Sequence, residues 1–256
     1  MLQNIFKAIH DGSLEEVKRI FNEGPQHWIE GNHLLDHAIG CRRLKIAQFL
    51  YAMGERPNIP QNYRDGIYTP IHQVAFWGHT EILKWVFKEK VLLLLDVLKI
   101  KDFNGWTPLD FTIAYGRLET AKYLWEMDGR PNPDAYRDGI YTPVHSAAQY
   151  RYTEILKWVF AEDVLPLRVL NIKNMGNSLF CLQIERKGTP LDCAIFEREW
   201  ETAALLQRLL FNSIFLAMQR AKRDYRCMLR RLPNELLDMV VDEVAARFHH
   251  LRVVVW

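Results

Sequence analysis

Tyr63-Arg-Asp-Gly-Ile-Tyr-Thr-Pro70 returns, residue for residue, as Tyr136-Arg-Asp-Gly-Ile-Tyr-Thr-Pro143, 73 positions later. At the same offset Thr80-Glu-Ile-Leu-Lys-Trp-Val-Phe87 returns as Thr153 to Phe160. A second set interleaves with the first. Leu109-Asp110, Ile113 and Gly129-Arg-Pro-Asn132 echo Leu35-Asp36, Ile39 and Glu55-Arg-Pro-Asn58 at an offset of 74. Two identical octapeptides do not arise by chance, so the chain is built by duplication. Half of the offset gives an underlying unit of a little over thirty residues.

Within each unit the order is constant. A turn carries Asp65-Gly66, Asn104-Gly105 or Asp138-Gly139, which supply positive-φ positions without steric cost. Thr-Pro follows at 69–70, 107–108, 142–143 and 189–190. Thr accepts an orphan N–H as N-cap, and Pro at the first helical position loses no hydrogen bond. A short helix of about two turns comes next, then a break, as at Trp77-Gly78-His79 or Tyr115-Gly116-Arg117. A second helix then shows helical apolar spacing, Ile82, Leu83, Val86 and Phe87 in one unit and Ala121, Leu124 and Trp125 in another. Neither helix of a unit buries its stripe alone, so the units must stack.

Thr69-Pro-Ile-His72, Thr142-Pro-Val-His145 and Asn104-Gly-Trp-Thr-Pro-Leu-Asp110, extended through Gly78-His-Thr-Glu-Ile82 and Gly116-Arg-Leu-Glu119, resemble the ankyrin repeat. The resemblance implies an all-α ankyrin solenoid of about six helix-turn-helix repeats, at roughly 1–30, 31–62, 63–99, 100–134, 135–171 and 172–212. A C-terminal helical segment, 213–256, follows the repeat domain 1–212. Departures from the pattern are local. The first unit lacks Thr-Pro, as a terminal cap does, and the second has His33-Leu-Leu-Asp36. The third and fifth carry one extra residue before Thr, and the sixth holds an insertion, Met175 to Lys187. Such a His as His72 or His145 is implied to bridge neighbouring backbones through its two ring nitrogens. Asp110 and Asp192 hold the same position and can accept N–H groups near a helix start.

Composition bounds the rest. The 256 residues carry 33 Lys+Arg against 31 Asp+Glu, a net charge of +2 that argues against a dedicated nucleic-acid binder. The 49% apolar share suits a globular chain with a sizeable core, and 13 Gly with 11 Pro exclude collagen-like and low-complexity classes. Cys41, Cys181, Cys193 and Cys227 form no CxxC pair, so neither a zinc site nor a disulfide framework is expected. The N-terminal residues do not read as a secretory signal, and no apolar run reaches the roughly 20 residues of a membrane span. The expected setting is reducing and intracellular, cytoplasmic or nuclear, in a host cell if the chain is a viral or bacterial effector.

Catalysis is not expected. GxSxG, HExxH, Walker and GxGxxG signatures are all missing. His33 and His37 are spaced as paired metal ligands on a helix but lack the intervening glutamate, and the repeat frame puts His33 at a capping position. No cofactor or metal is therefore expected. An enzyme with an unrecognised site remains the remote alternative.

The aromatic content, with eight Trp, ten Tyr and thirteen Phe, points to binding instead. In the ankyrin pattern the residues just before the inter-helix Gly face the concave side. Here they are Phe76-Trp77, Ala114-Tyr115 and Gln149-Tyr150, between Gly40-Cys41 and Phe196-Glu197. Trp77, Tyr115 and Tyr150 then line up on three consecutive repeats and offer large area with few rotamers to freeze. Packing against the neighbouring turn is the equal alternative. Turn tips add Arg64, Ile67, Tyr68, Phe103, Trp106, Arg137, Ile140 and Tyr141 as candidate partner contacts. Trp85 and Trp158, among Leu and Val of the longer helices, are expected in the core.

After Leu210 the pattern stops. Residues 220–231 are basic, as a solvated helix face or a phosphate contact would be. Leu232-Pro-Asn-Glu-Leu-Leu-Asp-Met-Val-Val-Asp-Glu-Val244 has a helix start, acids near its positive end and an apolar stripe. Such a helix can cap the last repeat. The stretch also resembles the start of an F-box, as found at the C-terminus of some viral and intracellular-bacterial ankyrin proteins; a SOCS box fits less well. That resemblance implies recruitment of a Skp-type adaptor and cullin ligase subunits through Leu232, Pro233, Glu235, Leu236 and Val240. The expected partner is a protein of unknown identity, bound by a monomer.

Overall fold

The computed structural model describes residues 2–23, 33–57, 66, 68–91, 97–137, 140–174 and 188–212. The chain divides into two compact units, Met1–Leu206 and Gln207–Trp256. Of the second unit, residues 207–212 are described and are helical. The described residues are all-α, with a lone antiparallel bridge between Asn174 and Gly188 closing the base of the insertion. Two backbone bonds make that bridge, Asn174 N to Gly188 O at 2.8 Å and the reverse at 3.0 Å.

In the first unit, helices come in pairs. They are α1 (Leu2–Asp11) with α2 (Leu14–Glu23), α3 (Leu34–Gly40) with α4 (Leu44–Ala52), and α5 (Pro70–Trp77) with α6 (Thr80–Lys88). Next come α7 (Pro108–Ala114) with α8 (Leu118–Glu126), α9 (Pro143–Gln149) with α10 (Thr153–Ala161), and α11 (Pro190–Phe196) followed by helical residues 200–206. First helices pack in chain order, α1 on α3, α3 on α5, α5 on α7, α7 on α9 and α9 on α11. Their small and branched residues are buried in consequence, among them Ala38, Ile71, Ala75, Ile113, Ala114, Ala147 and Ala148. A first helix has neighbours on both sides and must be narrow. Second helices bury one stripe, such as Ile82, Leu83, Val86 and Phe87, and keep charged residues outside. Hydroxyl pairs join their starts across adjacent units, Thr80 to Thr120 at 2.7 Å and Thr153 to Thr202 at 2.6 Å.

Trp85 and Trp158 are half-buried rather than core residues. Each meets a ring of the preceding second helix edge-on, Tyr51 at 5.9 Å and Trp125 at 6.5 Å. Long helices spaced by whole units leave room for a large ring between them, so these indoles fill the seam and keep one edge in water. His33 occupies the N-cap position of α3 but makes no capping bond; it sits at φ 49° instead of in the extended conformation that a cap adopts.

The break between paired helices repeats with one backbone solution. Gly12, Arg42, Gly78, Gly116, Arg151 and Arg198 hold this place in six successive units, all left-handed, at φ 61–81°. Where it is glycine, a side chain of the next unit presses on it. A Cβ on Gly116 would meet the Tyr152 ring at 2.5 Å, and one on Gly78 would meet the Arg117 side chain at 2.7 Å. Two arginines lock the same contact by donating to the previous break. Arg43 Nε donates to His10 O at 3.1 Å, and Arg117 Nε to Phe76 O at 3.0 Å. Gly116→Ala therefore collides and strains together, with an expected loss of about 2 kcal/mol or more. Arg198→Gly relieves the left-handed strain and is expected to leave stability unchanged or raise it by up to about 1 kcal/mol. Urea unfolding of the two variants checks this; equal effects at the two positions would contradict it.

Candidate protein-interaction site

The candidate site rests on the boxes that start the first helices. Thr69 N donates to His72 Nδ1 at 3.1 Å, while His72 Nε2 lies 3.0 Å from Ile100 O and 3.2 Å from Trp106 O. A nitrogen that accepts carries no proton, so the ring is the neutral tautomer with its proton on Nε2. His145 repeats this, accepting from Thr142 N at 3.2 Å and facing Gly188 O at 3.1 Å. Burial pushes both imidazoles down to about 4. The third box uses a carboxylate. Asp110 Oδ2 accepts from Thr107 N at 2.8 Å and Asn132 N at 3.1 Å, and Oδ1 accepts from the Tyr136 hydroxyl. Burial holds this acid up at about 6 against those donors, and pushes the Tyr136 phenol up as well. Asp192 caps its own helix through Thr189 N at 2.7 Å.

These boxes fix the turn residues, and the turns part ways from the sequence expectation. Trp106 and Tyr141 are buried, each 7% exposed, and are not surface contacts. Trp106 packs edge-on to Phe111 at 5.4 Å because Asp102 pulls its N–H inward at 2.8 Å. Tyr141 lies 5.5 Å from the His145 ring and its hydroxyl donates to Gln149 Oε1 at 2.7 Å. Phe103 at 58% and Arg137 stay exposed at the turns; Ile140 is half-buried. Arg64 and Ile67 lie outside the described residues, as do Leu232, Pro233, Glu235, Leu236 and Val240.

Of the remaining candidate rings, Tyr68, Phe76, Trp77 and Tyr115 converge. Phe111, itself buried, is the hub: Tyr68 at 5.4 Å, His72 at 5.6 Å, Phe76 at 6.5 Å and Tyr115 at 6.4 Å surround it. Phe76 and Tyr115 approach to 4.1 Å across the α5–α7 seam, and Phe76 meets Trp77 at 4.8 Å. Trp77 is 42% exposed, and Tyr68, Phe76 and Tyr115 keep partly open rings. Tyr150, 48% exposed, stands apart and pairs with Tyr152 at 6.2 Å. The three-ring line expected from the spacing is thus one tight cluster over two units plus a separate tyrosine. Phe111 carries the cluster, and its position inside a helical run gives no sign of that in the sequence.

Arginine is the part of the site that spacing does not reveal. Arg42 lies over the Trp77 ring at 4.6 Å, although 35 positions separate them. Among the described residues no group of three His, Cys, Asp or Glu is placed to hold a metal. The clustered groups are aromatic rings, with one guanidinium, that of Arg42, over Trp77. No family model matches the chain.

The boxes set an acid response. His72 and His145 titrate lower folded than unfolded, so stability present above about pH 6.5 is lost as pH falls toward about 4, by about 3 kcal/mol for each ring. Asp110, raised to about 6, acts oppositely, favouring the folded state as pH falls through that value. Melting temperature should drop by several degrees between about pH 7 and about pH 4.5, and Asp110→Asn should steepen the drop. A flat profile would show that the rings are not buried neutral.

Proposed function

We propose that this chain is an ankyrin-type solenoid that binds a protein partner on the open aromatic rings of its first helices and turns, without catalysis. The observation that carries this is the cluster of Tyr68, Phe76, Trp77 and Tyr115 around buried Phe111, with Arg42 against Trp77. Rings braced by their neighbours lose little rotamer freedom on docking, so their area converts to affinity. The repeated Thr-Pro boxes, the paired helices and the consecutive packing of first helices support the solenoid. Tyr150 and Phe103 offer further exposed rings outside the cluster.

In the fuller form of this proposal the chain is a substrate adaptor of a cullin-type ubiquitin ligase, recruited through Leu232, Pro233, Glu235, Leu236 and Val240. Its support is the sequence resemblance alone. A second reading makes the chain a plain scaffold or inhibitor whose C-terminal helix only caps the repeats. It is favoured by the last pair: Ile195, in the place of fully buried Ala75, is 46% exposed, and Asp192, in the place of buried His72, is exposed. That surface calls for a cover.

Two experiments separate these. Trp77, Tyr115 and Tyr150 changed together to Ala should leave the circular dichroism intact and weaken partner capture by several kcal/mol, roughly 1–2 per ring. Loss of folding would instead make the rings core. Purified Skp-type adaptor should bind the wild-type chain and not Leu236→Asp; absence of binding to wild type rejects ligase recruitment and leaves the scaffold.

A further inference from the structure

Arginine recurs at the inter-helix breaks, at Arg42, Arg43, Arg117, Arg151 and Arg198. Arg42, Arg43 and Arg117 come from the second and fourth units, and His79 from the third between them. Arg42 lies over the Trp77 ring at 4.6 Å, and Arg117 packs on Gly78 and donates to Phe76 O at 3.0 Å, so the breaks on either side each bring a guanidinium to the third break. Among the described residues none of the three arginines has a carboxylate partner; their bonds go to carbonyls or a ring, His10 O, Phe76 O and the Trp77 indole. Those contacts neutralise none of the three charges among the described residues.

The rest of the row is different. At the N-terminal end His10 faces Asp11 at 3.5 Å, and at the C-terminal end Arg151 pairs with Glu199 at 3.1 Å. Among the described residues, Arg42, Arg43 and Arg117 thus keep their charge open beside the aromatic cluster, while Arg198 does so in the last break, away from it.

We propose that these breaks form a cationic docking surface for an acidic peptide segment, with Arg42, Arg43 and Arg117 taking its carboxylates and the Trp77 ring packing against its apolar side chains. This rests on the protein-binding reading above and gives that partner its chemistry. Guanidinium forks match carboxylates, and opposite charge speeds encounter and fixes register. A nucleic acid fits less well. A phosphate backbone needs a long basic track, whereas this patch is short, is bounded by acidic residues and sits on a chain of net charge +2.

The test is selection of short random peptides by display on the full-length chain. Recovered sequences should be rich in Asp and Glu interspersed with apolar residues. A synthetic copy of the leading peptide should bind about tenfold more weakly to Arg42→Glu. It should bind unchanged to Lys122→Glu, a charge control on the outer face of α8, and more weakly as salt rises from about 50 to about 500 mM. Neutral or basic peptides, or no peptides, would overturn the proposal, as would indifference to Arg42→Glu. Peptides that lose binding to Trp77→Ala yet ignore Arg42→Glu would overturn the charge assignment and keep the aromatic site. Peptides indifferent to both changes would overturn the site itself. A single-stranded oligonucleotide that displaces the peptide and binds more tightly would make the surface a nucleic-acid contact.

Discussion

The middle of the first unit depends on one side chain at the third position of α5, α7 and α9, held between its own helix start and the turn that follows. His72 closes the box with Thr69 and reaches the carbonyls of Ile100 and Trp106. His145 does so with Thr142 and Gly188. Where the residue is Asp110, polarity inverts and the following turn supplies donors, Asn132 N–H and the Tyr136 hydroxyl. One position thus runs on two chemistries, each matched by what the next turn presents. Buried polar groups tolerate no mismatch, so this pairing specifies which turn follows which helix.

The inter-helix break supplies the second constraint, and the candidate site is made from it. A left-handed residue brings the second helix back against the first, and a side chain from the next unit closes over it, as Arg117 over Gly78 and Tyr152 over Gly116. Stacking therefore needs large side chains in these breaks. The same side chains, with the rings that end the first helices, make the surface where aromatics and cations meet. The residues that close the breaks, Arg43, Arg117 and Tyr152, follow directly on the left-handed positions, while Arg42, Arg151 and Arg198 occupy those positions themselves at the cost of a positive φ.

The amino-acid sequence announces the local elements well and the site poorly. Two octapeptide repeats and four Thr-Pro pairs place paired helices where the structure has them, because capping and helix initiation are decided within a few residues. Trp106 and Tyr141 show the limit. Both are bulky residues in turns, yet Asp102 and Gln149 draw one inward and tie down the other, and those partners depend on local geometry that composition does not report. Trp85 and Trp158 err the other way, since apolar neighbours in sequence do not say that a seam between units stays half open. Arg42 and Trp77 are invisible as a pair, because they meet only when one break lies beside the next.

The central claim is that the repeated His is a neutral, buried strut between consecutive units. Long-range nitrogen–proton correlation spectra of the full chain at about pH 6 test it most directly, since a solvated imidazole there is largely protonated. His72 and His145 should each show the neutral ring with its proton on Nε2, unchanged until the protein unfolds in acid. An imidazolium signature, or the proton on Nδ1, at either ring would contradict the account.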